Sequence, residues 1–342
     1  MVTEPLIHLP LYCWPNTPDL LMRSMVQQLL TSLHTYFAYE NEYDLLVTTN
    51  DRRPLEILSA YKKKNGYGFK LRFVTPGDLL SVFKTDHSRL NNIPCIRMIF
   101  SKFYPILNRE AEAIVHVDFD TMFAAKIDLT PLLVSDICLV DANKFWPAEV
   151  ARQITDEQAD FFRLPKPVRT PWNWINSGVF TVQGRGFDIV SDEVLYYLEN
   201  LERAIDADVL DFADEIMMNA LAIREPDAVT LVSDQRYNFH AYFLKHDPDW
   251  TTTAQIIHFQ SVKPDNFSYV DGEVRHHCEQ YLEERINEDL YLAVLIWFRY
   301  FHQACDGLPY LFPLLAAIPS DVVERELAAR CDRARVPSHG YA

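Results

Sequence analysis

Two rhythms of apolar residues alternate along the chain. Short apolar runs closed by Asn, Asp, Pro or Gly give way to longer stretches in which apolar positions recur every three or four residues. The first rhythm belongs to strands buried on both faces, the second to helices with one covered side. Residues 45–49 read as a buried strand stopped by Asn50 and Asp51. Residues 6–11, 69–74, 113–117, 137–140, 179–182 and 256–259 read as further strands, and residues 20–36 and 191–205 as helices. This alternation predicts an α/β fold. Beyond about residue 272 the strand rhythm stops. Residues 279–303 have apolar side chains at helical spacing, 308–319 are apolar and Pro-rich, and 322–335 read as a charged amphipathic helix. The expected organisation is a main domain over 1–271 and a helical appendage over 272–342.

Several strands end in a polar or acidic residue: Asn50, Asp118, Asp141. In open α/β sheets ligands sit beyond the carboxyl ends of the strands, so carboxylates there suit a metal–phosphate site. Asn and Asp also favour turns after any strand, and that reading stays open for Asn50 and Asp141. The strongest signal is Ala113-Ile114-Val115-His116-Val117-Asp118-Phe119-Asp120-Thr121. Here an apolar strand delivers two carboxylates at i and i+2, which point the same way. Both can converge on one hard cation such as Mn²⁺ or Mg²⁺.

Three further segments carry candidate chemistry. Trp174-Ile175-Asn176-Ser177-Gly178-Val179 is a polar turn entering a strand, and Asn176 and Ser177 offer neutral hydrogen bonds suited to sugar hydroxyls. Phe212-Ala213-Asp214-Glu215-Ile216-Met217-Met218-Asn219 reads as a helix with a core stripe of Ala213, Ile216, Met217 and Ala220. Glu215 and Asn219 share another face, for which sequence alone favours water over a cleft. In Ile256-Ile257-His258-Phe259-Gln260-Ser261-Val262-Lys263-Pro264, a histidine ends an apolar strand and a lysine follows. That pair could place an imidazole on a metal and an ammonium on a phosphate.

Composition narrows the classes. The formal net charge is −16, which argues against a general affinity for nucleic acid or anionic membrane. An acidic chain that holds a diphosphate needs a cation, and a divalent metal would supply it. Cys13, Cys95, Cys138, Cys278, Cys305 and Cys331 form no Cys-x-x-Cys pair, as in a reduced cytoplasmic protein. Met1-Val2-Thr3-Glu4-Pro5 has no basic n-region or apolar h-region, so no signal peptide is expected. The apolar stretch 290–301 is too short to span a bilayer, which needs ~20 residues.

Taken in order, the four segments resemble the retaining glycosyltransferases of the glycogenin and bacterial lipopolysaccharide galactosyltransferase family. Val117 to Thr121 resembles its Leu-Asp-x-Asp-Thr motif, and Asn176 to Val179 matches its Asn-Ser-Gly-Val motif outright. Asp214 to Asn219 resembles Asp-Gln-x-x-x-Asn, and His258 to Pro264 resembles His-x-x-Gly-x-x-Lys-Pro. Arg97-Met98-Ile99-Phe100, with Pro105-Ile106-Leu107, looks like the family's segment before the metal motif, where an arginine reaches the donor. The resemblance covers roughly residues 40 to 270.

The resemblance implies the A-type glycosyltransferase fold, a Rossmann-like nucleotide-diphospho-sugar transferase domain. It also implies a nucleotide-sugar donor (a UDP-sugar), Mn²⁺, and retention of anomeric configuration. Carried over by position, Asp118, Asp120 and His258 would hold the metal. Asp118, Arg97, Asn176, Ser177 and Lys263 would contact the donor, with Asp214 and Glu215 as the catalytic pair. The acceptor stays open: a glycan, a protein or a small molecule. Three departures stand out. Glu215 replaces the family's Gln, the His-to-Lys spacing is one residue shorter with Ser261 for Gly, and residues 6–16 lack the usual base-holding pattern. Tyr12 is the candidate for stacking on uracil. The competing readings are a nucleotide-sugar-binding protein without turnover and an inverting transferase on the same fold. A phosphotransferase lacks support, because no Gly-x-x-x-x-Gly-Lys-Ser/Thr loop is present.

Overall fold

A computed structural model describes residues 4–13, 16–75, 78, 102–141, 154–168, 175–209, 213–260, 262–276, 288–306 and 318–330. Arg97 and residues 169–174, Trp174 among them, lie outside them. The chain divides into two compact units: Met1–Asn16, Tyr43–Asp118 and Asp128–Gln235 form the first, Thr17–Glu42, Phe119–Ile127 and Arg236–Ala342 the second.

The first unit is a mixed α/β layer around a seven-stranded sheet. Its strands are β1 (Leu6–Leu11), β2 (Asp44–Thr49), β3 (Lys70–Phe73), β4 (Ala113–Val117), β6 (Ile137–Val140), β7 (Val179–Gln183) and β8 (Val229–Val232), while β5 (Thr121–Phe123) belongs to the second unit. The order is β3-β2-β1-β4-β7-β6-β8. All neighbours are parallel except β7, which runs against both β4 and β6. Every residue of β1 and β4 is buried, as a sheet covered on both faces requires. Ile114, Leu139, Phe180, Val182 and Ile216 belong to one continuous core cluster. Each such fully buried side chain contributes about 1.5–3 kcal/mol.

Helix Arg52–Asn65 starts where the Asp51 carboxylate accepts the Arg53 backbone N–H at 2.8 Å, and it stops at Gly66, whose φ is 68°. That left-handed stop is a glycine's role. The helix expected over 191–205 is two helices, Gly186–Glu199 and Leu201–Asp206, broken at Asn200. Asn200 turns its side chain back to the Tyr196 carbonyl at 2.8 Å. The first of the pair begins earlier than expected because Gly186 packs against the Asp136 carbonyl. A Cβ there would lie 2.3 Å from that oxygen, so only glycine fits.

In the second unit β10 (Ile256–His258) pairs antiparallel with β5 and parallel with β9 (Phe239–His240). The hairpin β11 (Phe267–Val270) and β12 (Glu273–His276) stands apart as its own sheet. Helix Asp19–Ala38 packs on helix Glu288–Cys305. Tyr300 donates to the Tyr39 hydroxyl at 3.2 Å, and the His34 ring meets Gln303 at 3.2 Å. Arg299 grips Glu324 on helix Ser320–Ala328 through two hydrogen bonds, 2.8 and 2.9 Å. The expected appendage therefore shares a unit with residues 17–42, and residue 272 marks no boundary between the two units. Of the expected helix 279–303, residues 288 onward are described and helical. Among the described residues no helix is long and apolar enough to cross a membrane.

Candidate functional site

In the first unit the antiparallel course of β7 brings a strand entrance to the sheet edge where β4 exits. Val117 stands opposite Val179, and the Asp118 backbone N–H donates to the Gly178 carbonyl at 2.8 Å. Asn176, Ser177 and Asp118 therefore meet despite their separation in sequence. Asn176 caps its own turn, accepting the Gly178 N–H at 2.8 Å.

Helix Ala213–Arg224 adds Asp214, whose Oδ2 accepts the Ser177 hydroxyl at 2.6 Å. At the centre is Lys102, on helical residues 102–107, which sequence reasoning missed. Its Nζ lies 2.5 Å from Asp214 Oδ2, 3.1 and 3.2 Å from the two oxygens of Asp118, and 3.2 Å from Ser177 Oγ. Burial alone would lower the lysine pKa, but Asp118 and Asp214 outweigh it and hold the ammonium well above its usual range. For Asp214, burial favours the neutral acid, yet Lys102 and Ser177 keep its pKa below the ordinary carboxylate value. A lysine on a helix reads as solvated. The signal that could have found it is the pair of aspartates, buried Asp214 and half-buried Asp118, which need a cation nearby.

Asn219 does not face water. It is fully buried, accepts the Ile175 N–H at 3.0 Å and donates to the Ile175 carbonyl at 2.7 Å and the Glu215 carbonyl at 2.8 Å. The expected solvated face fails because Asn219 holds the backbone that enters the Asn176 turn. Glu215, half-buried one turn earlier, accepts from Asn176 Nδ2 at 3.5 Å. Tyr12 belongs to the core cluster and is 9% exposed. Burial pushes its hydroxyl pKa upward.

Two histidines lie behind Asp118. His116 Nε2 is 2.9 Å from Asp118 Oδ1, and its ring stacks on Phe180 with centroids 4.7 Å apart. His116 Nδ1 lies 3.5 Å from His8 Nδ1, and His8 Nε2 lies 2.8 Å from Thr48 Oγ1. Both rings are fully buried. Burial lowers both pKa values; Asp118 opposes the shift at each, less than burial does.

The second unit builds its own cluster around Asp120. His258 Nε2 is 3.2 Å and Lys263 Nζ 2.9 Å from its two oxygens. Burial pushes the Asp120 pKa up, but Lys263 and His258 overcome it and hold the carboxyl well below the ordinary range. The other nitrogen of His258, Nδ1, lies 2.9 Å from Asn238 Oδ1. With the amide oxygen as acceptor, Nδ1 carries a hydrogen, and this contact fixes the ring with Nε2 against Asp120. This is how metal-binding imidazoles are oriented. The backbone around Asp120 is pinned from both sides. The Phe259 N–H donates to the Asp120 carbonyl at 3.0 Å, and Ser32 Oγ donates to the Phe119 carbonyl at 3.0 Å.

One residue separates Asp118 from Asp120, so the chain itself keeps the two carboxylates together. Asp118, Asp120 and His258 each offer one ligand atom, all within 4.8 Å of one another. Two carboxylate oxygens and an imidazole nitrogen suit a divalent cation that accepts both oxygen and nitrogen, Mn²⁺ among them.

No family model matches the sequence, and no curated protein matches it. Among solved structures the chain is similar to the galactosyltransferase LgtC in complex with donor and acceptor sugar analogues, at 16% identity, covering 76% of this chain and 88% of that one, with a TM-score of 0.46. It is similar to an active-site mutant of LgtC carrying glutamate for glutamine, at 14% identity over 92% and 98% of the two chains, TM-score 0.49. It is also similar to mouse xyloside xylosyltransferase 1 in its apo form, at 12% identity over 76% and 99%, TM-score 0.47.

Proposed function

We propose that this chain is a divalent-metal-dependent glycosyltransferase of the A-type fold that takes a sugar from a nucleotide-sugar donor. The observation that carries the reading is the Asp118–Asp120–His258 group, whose three ligand atoms lie within 4.8 Å of one another, with His258 Nδ1 held 2.9 Å from Asn238 Oδ1. Mn²⁺ bound there would supply positive charge to the diphosphate as its bond to the anomeric carbon breaks.

The chain's own residues do the rest. Lys263, whose side chain is 34% exposed, can leave Asp120 for a diphosphate oxygen. Asn176 and Ser177 present hydrogen-bonding groups for sugar hydroxyls. Lys102 keeps Asp214 ionised and holds Asp118 in place. Asp214 is committed to Lys102 and Ser177, which makes it an orienting group. Half-buried Glu215 is the carboxylate for the reactive face of the sugar, where negative charge stabilises an oxocarbenium-like transition state. The resemblance of the four motifs favours a UDP-sugar and retention.

The test is nucleotide release from a panel of UDP- and GDP-sugars, with Mn²⁺ or EDTA, on wild type and Asp120→Asn. The expected result is slow Mn²⁺-dependent hydrolysis of one donor that the variant loses. No hydrolysis and no donor-dependent thermal shift in Mn²⁺ would overturn it.

A further inference from the structure

Three neighbouring strands each place one polar side chain on a single line through the sheet of the first unit. His8 on β1 stands in register with His116 on β4, and Thr48 on β2 pairs with Pro10, two residues on from His8. Thr48, His8 and His116 are all fully buried. An apolar sheet would fold without them, and buried polar groups cost free energy unless each is satisfied. Their line ends on Asp118.

The polarity of that line follows from its end. An ionised Asp118 only accepts, so His116 Nε2 must carry a hydrogen. Two N–H groups cannot face each other across the 3.5 Å between the Nδ1 atoms, so one of those nitrogens is bare. With His116 neutral, its Nδ1 is bare and His8 Nδ1 is the donor. His8 Nε2 is then an acceptor, and the Thr48 hydroxyl donates to it. The two imidazoles hold opposite tautomers.

We propose that Thr48, His8 and His116 form a one-directional hydrogen-bond relay that orients the Asp118 carboxylate. The relay engages Oδ1 through His116 and so fixes the plane of the carboxylate, whose two oxygens also lie 3.1 and 3.2 Å from Lys102 Nζ. His116 and His8 are positioning residues. Phe180 stacks on His116 and keeps its ring plane fixed. The functional consequence rests on reading Asp118 as a metal ligand, whereas the relay itself does not depend on that reading.

Two measurements test it. The first is long-range ¹⁵N–¹H correlation on the metal-free full chain labelled with [¹⁵N]histidine, with rings assigned through their Cβ atoms. The expected pattern is a neutral Nδ1–H tautomer at His8 and a neutral Nε2–H tautomer at His116. An Nε2–H tautomer at His8 or a cationic His116 overturns the relay. The second is Mn²⁺ affinity by electron paramagnetic resonance of the free ion. His116→Phe keeps the stack on Phe180 but has no donor, and it should weaken Mn²⁺ binding about 10–100-fold. His116→Gln, which offers a neutral N–H near the position of Nε2, should restore most of it. Unchanged affinity in a folded His116→Phe overturns the orienting role. If wild type binds no Mn²⁺, the proposed function loses its metal, and the tautomer pattern alone decides the relay.

Discussion

The two clusters use the same parts in opposite proportion. In the first unit two aspartates, Asp118 and Asp214, share one ammonium, so the group carries a formal charge of −1. In the second, one aspartate, Asp120, is shared by the Lys263 ammonium and the His258 ring, so one carboxylate meets two nitrogen partners. Lys102 is 11% exposed and Lys263 is 34% exposed. The lesson lies in that contrast. A lysine only 11% exposed, set between a buried and a half-buried carboxylate, is part of the fold, because its removal strands two charges. A half-exposed lysine can exchange its partner for a ligand at little cost.

The largest expected effect tests the first half of that contrast. Lys102→Met should lower the unfolding free energy at pH 7 by about 3 kcal/mol, since it leaves the buried Asp214 carboxylate and the half-buried Asp118 uncompensated. The deficit has a pH signature. Asp214 has a depressed pKa in the folded protein, so its contribution is present above the ordinary carboxylate value of about 4 and is lost as pH falls through the lower folded value. The gap between wild type and Lys102→Met should therefore narrow below about pH 4. Denaturant unfolding across pH 3 to 7 checks both, and a constant gap would break the assignment of the loss to Asp214.

Second in size, Asp120→Asn should reduce Mn²⁺-dependent donor hydrolysis by more than about 100-fold, beyond the loss typical for groups that merely support a ligand. Initial rates over a Mn²⁺ series check this. Third, Lys263→Met should weaken nucleoside diphosphate binding by about tenfold, one charge-assisted contact, while stability changes by no more than about 1 kcal/mol. Calorimetric titration and unfolding of the same sample measure the two quantities. A destabilisation as large as that of Lys102→Met would erase the contrast between the two lysines. Smallest is Asp51→Ala, a helix N-cap in neither cluster, which should cost about 1 kcal/mol with no change in ligand binding.

Strand positions were legible because they are apolar runs buried on both faces. Residues 45–49, 113–117 and 137–140 needed no partner to be recognised. The direction of β7 was not legible, since an apolar run looks the same read toward either end. Yet that direction is what joins Asn176 and Ser177 to Asp118. Asp118, Asp120 and His258 were legible from spacing and motif order, and their ligand atoms lie together. Lys102 was not, because a helical lysine carries no mark of burial until its two aspartates are placed around it. His8 and His116 hid for the same reason, as single polar letters inside apolar strands. Asn219 was misjudged because its partner is the backbone of Ile175, which has no signature in sequence.

The reversed strand has a consequence for the order in which the chain matures. Lys102 and Ser177 are 75 residues apart, Ser177 and Asp214 are 37 apart, and His8 and His116 are 108 apart. Contacts of such separation need the closure of long loops, and they form slowly compared with helical turns. A chain still emerging from the ribosome can fold helix Arg52–Asn65, but it cannot hold Asp118 in place before β7 has docked beside β4. Competence to bind then becomes a property of the completed chain. A ligand that binds only this state draws the equilibrium toward it, by about 2.7 kcal/mol at a hundred times its dissociation constant. A ligand of the completed site would thus act as a late fastener on the fold.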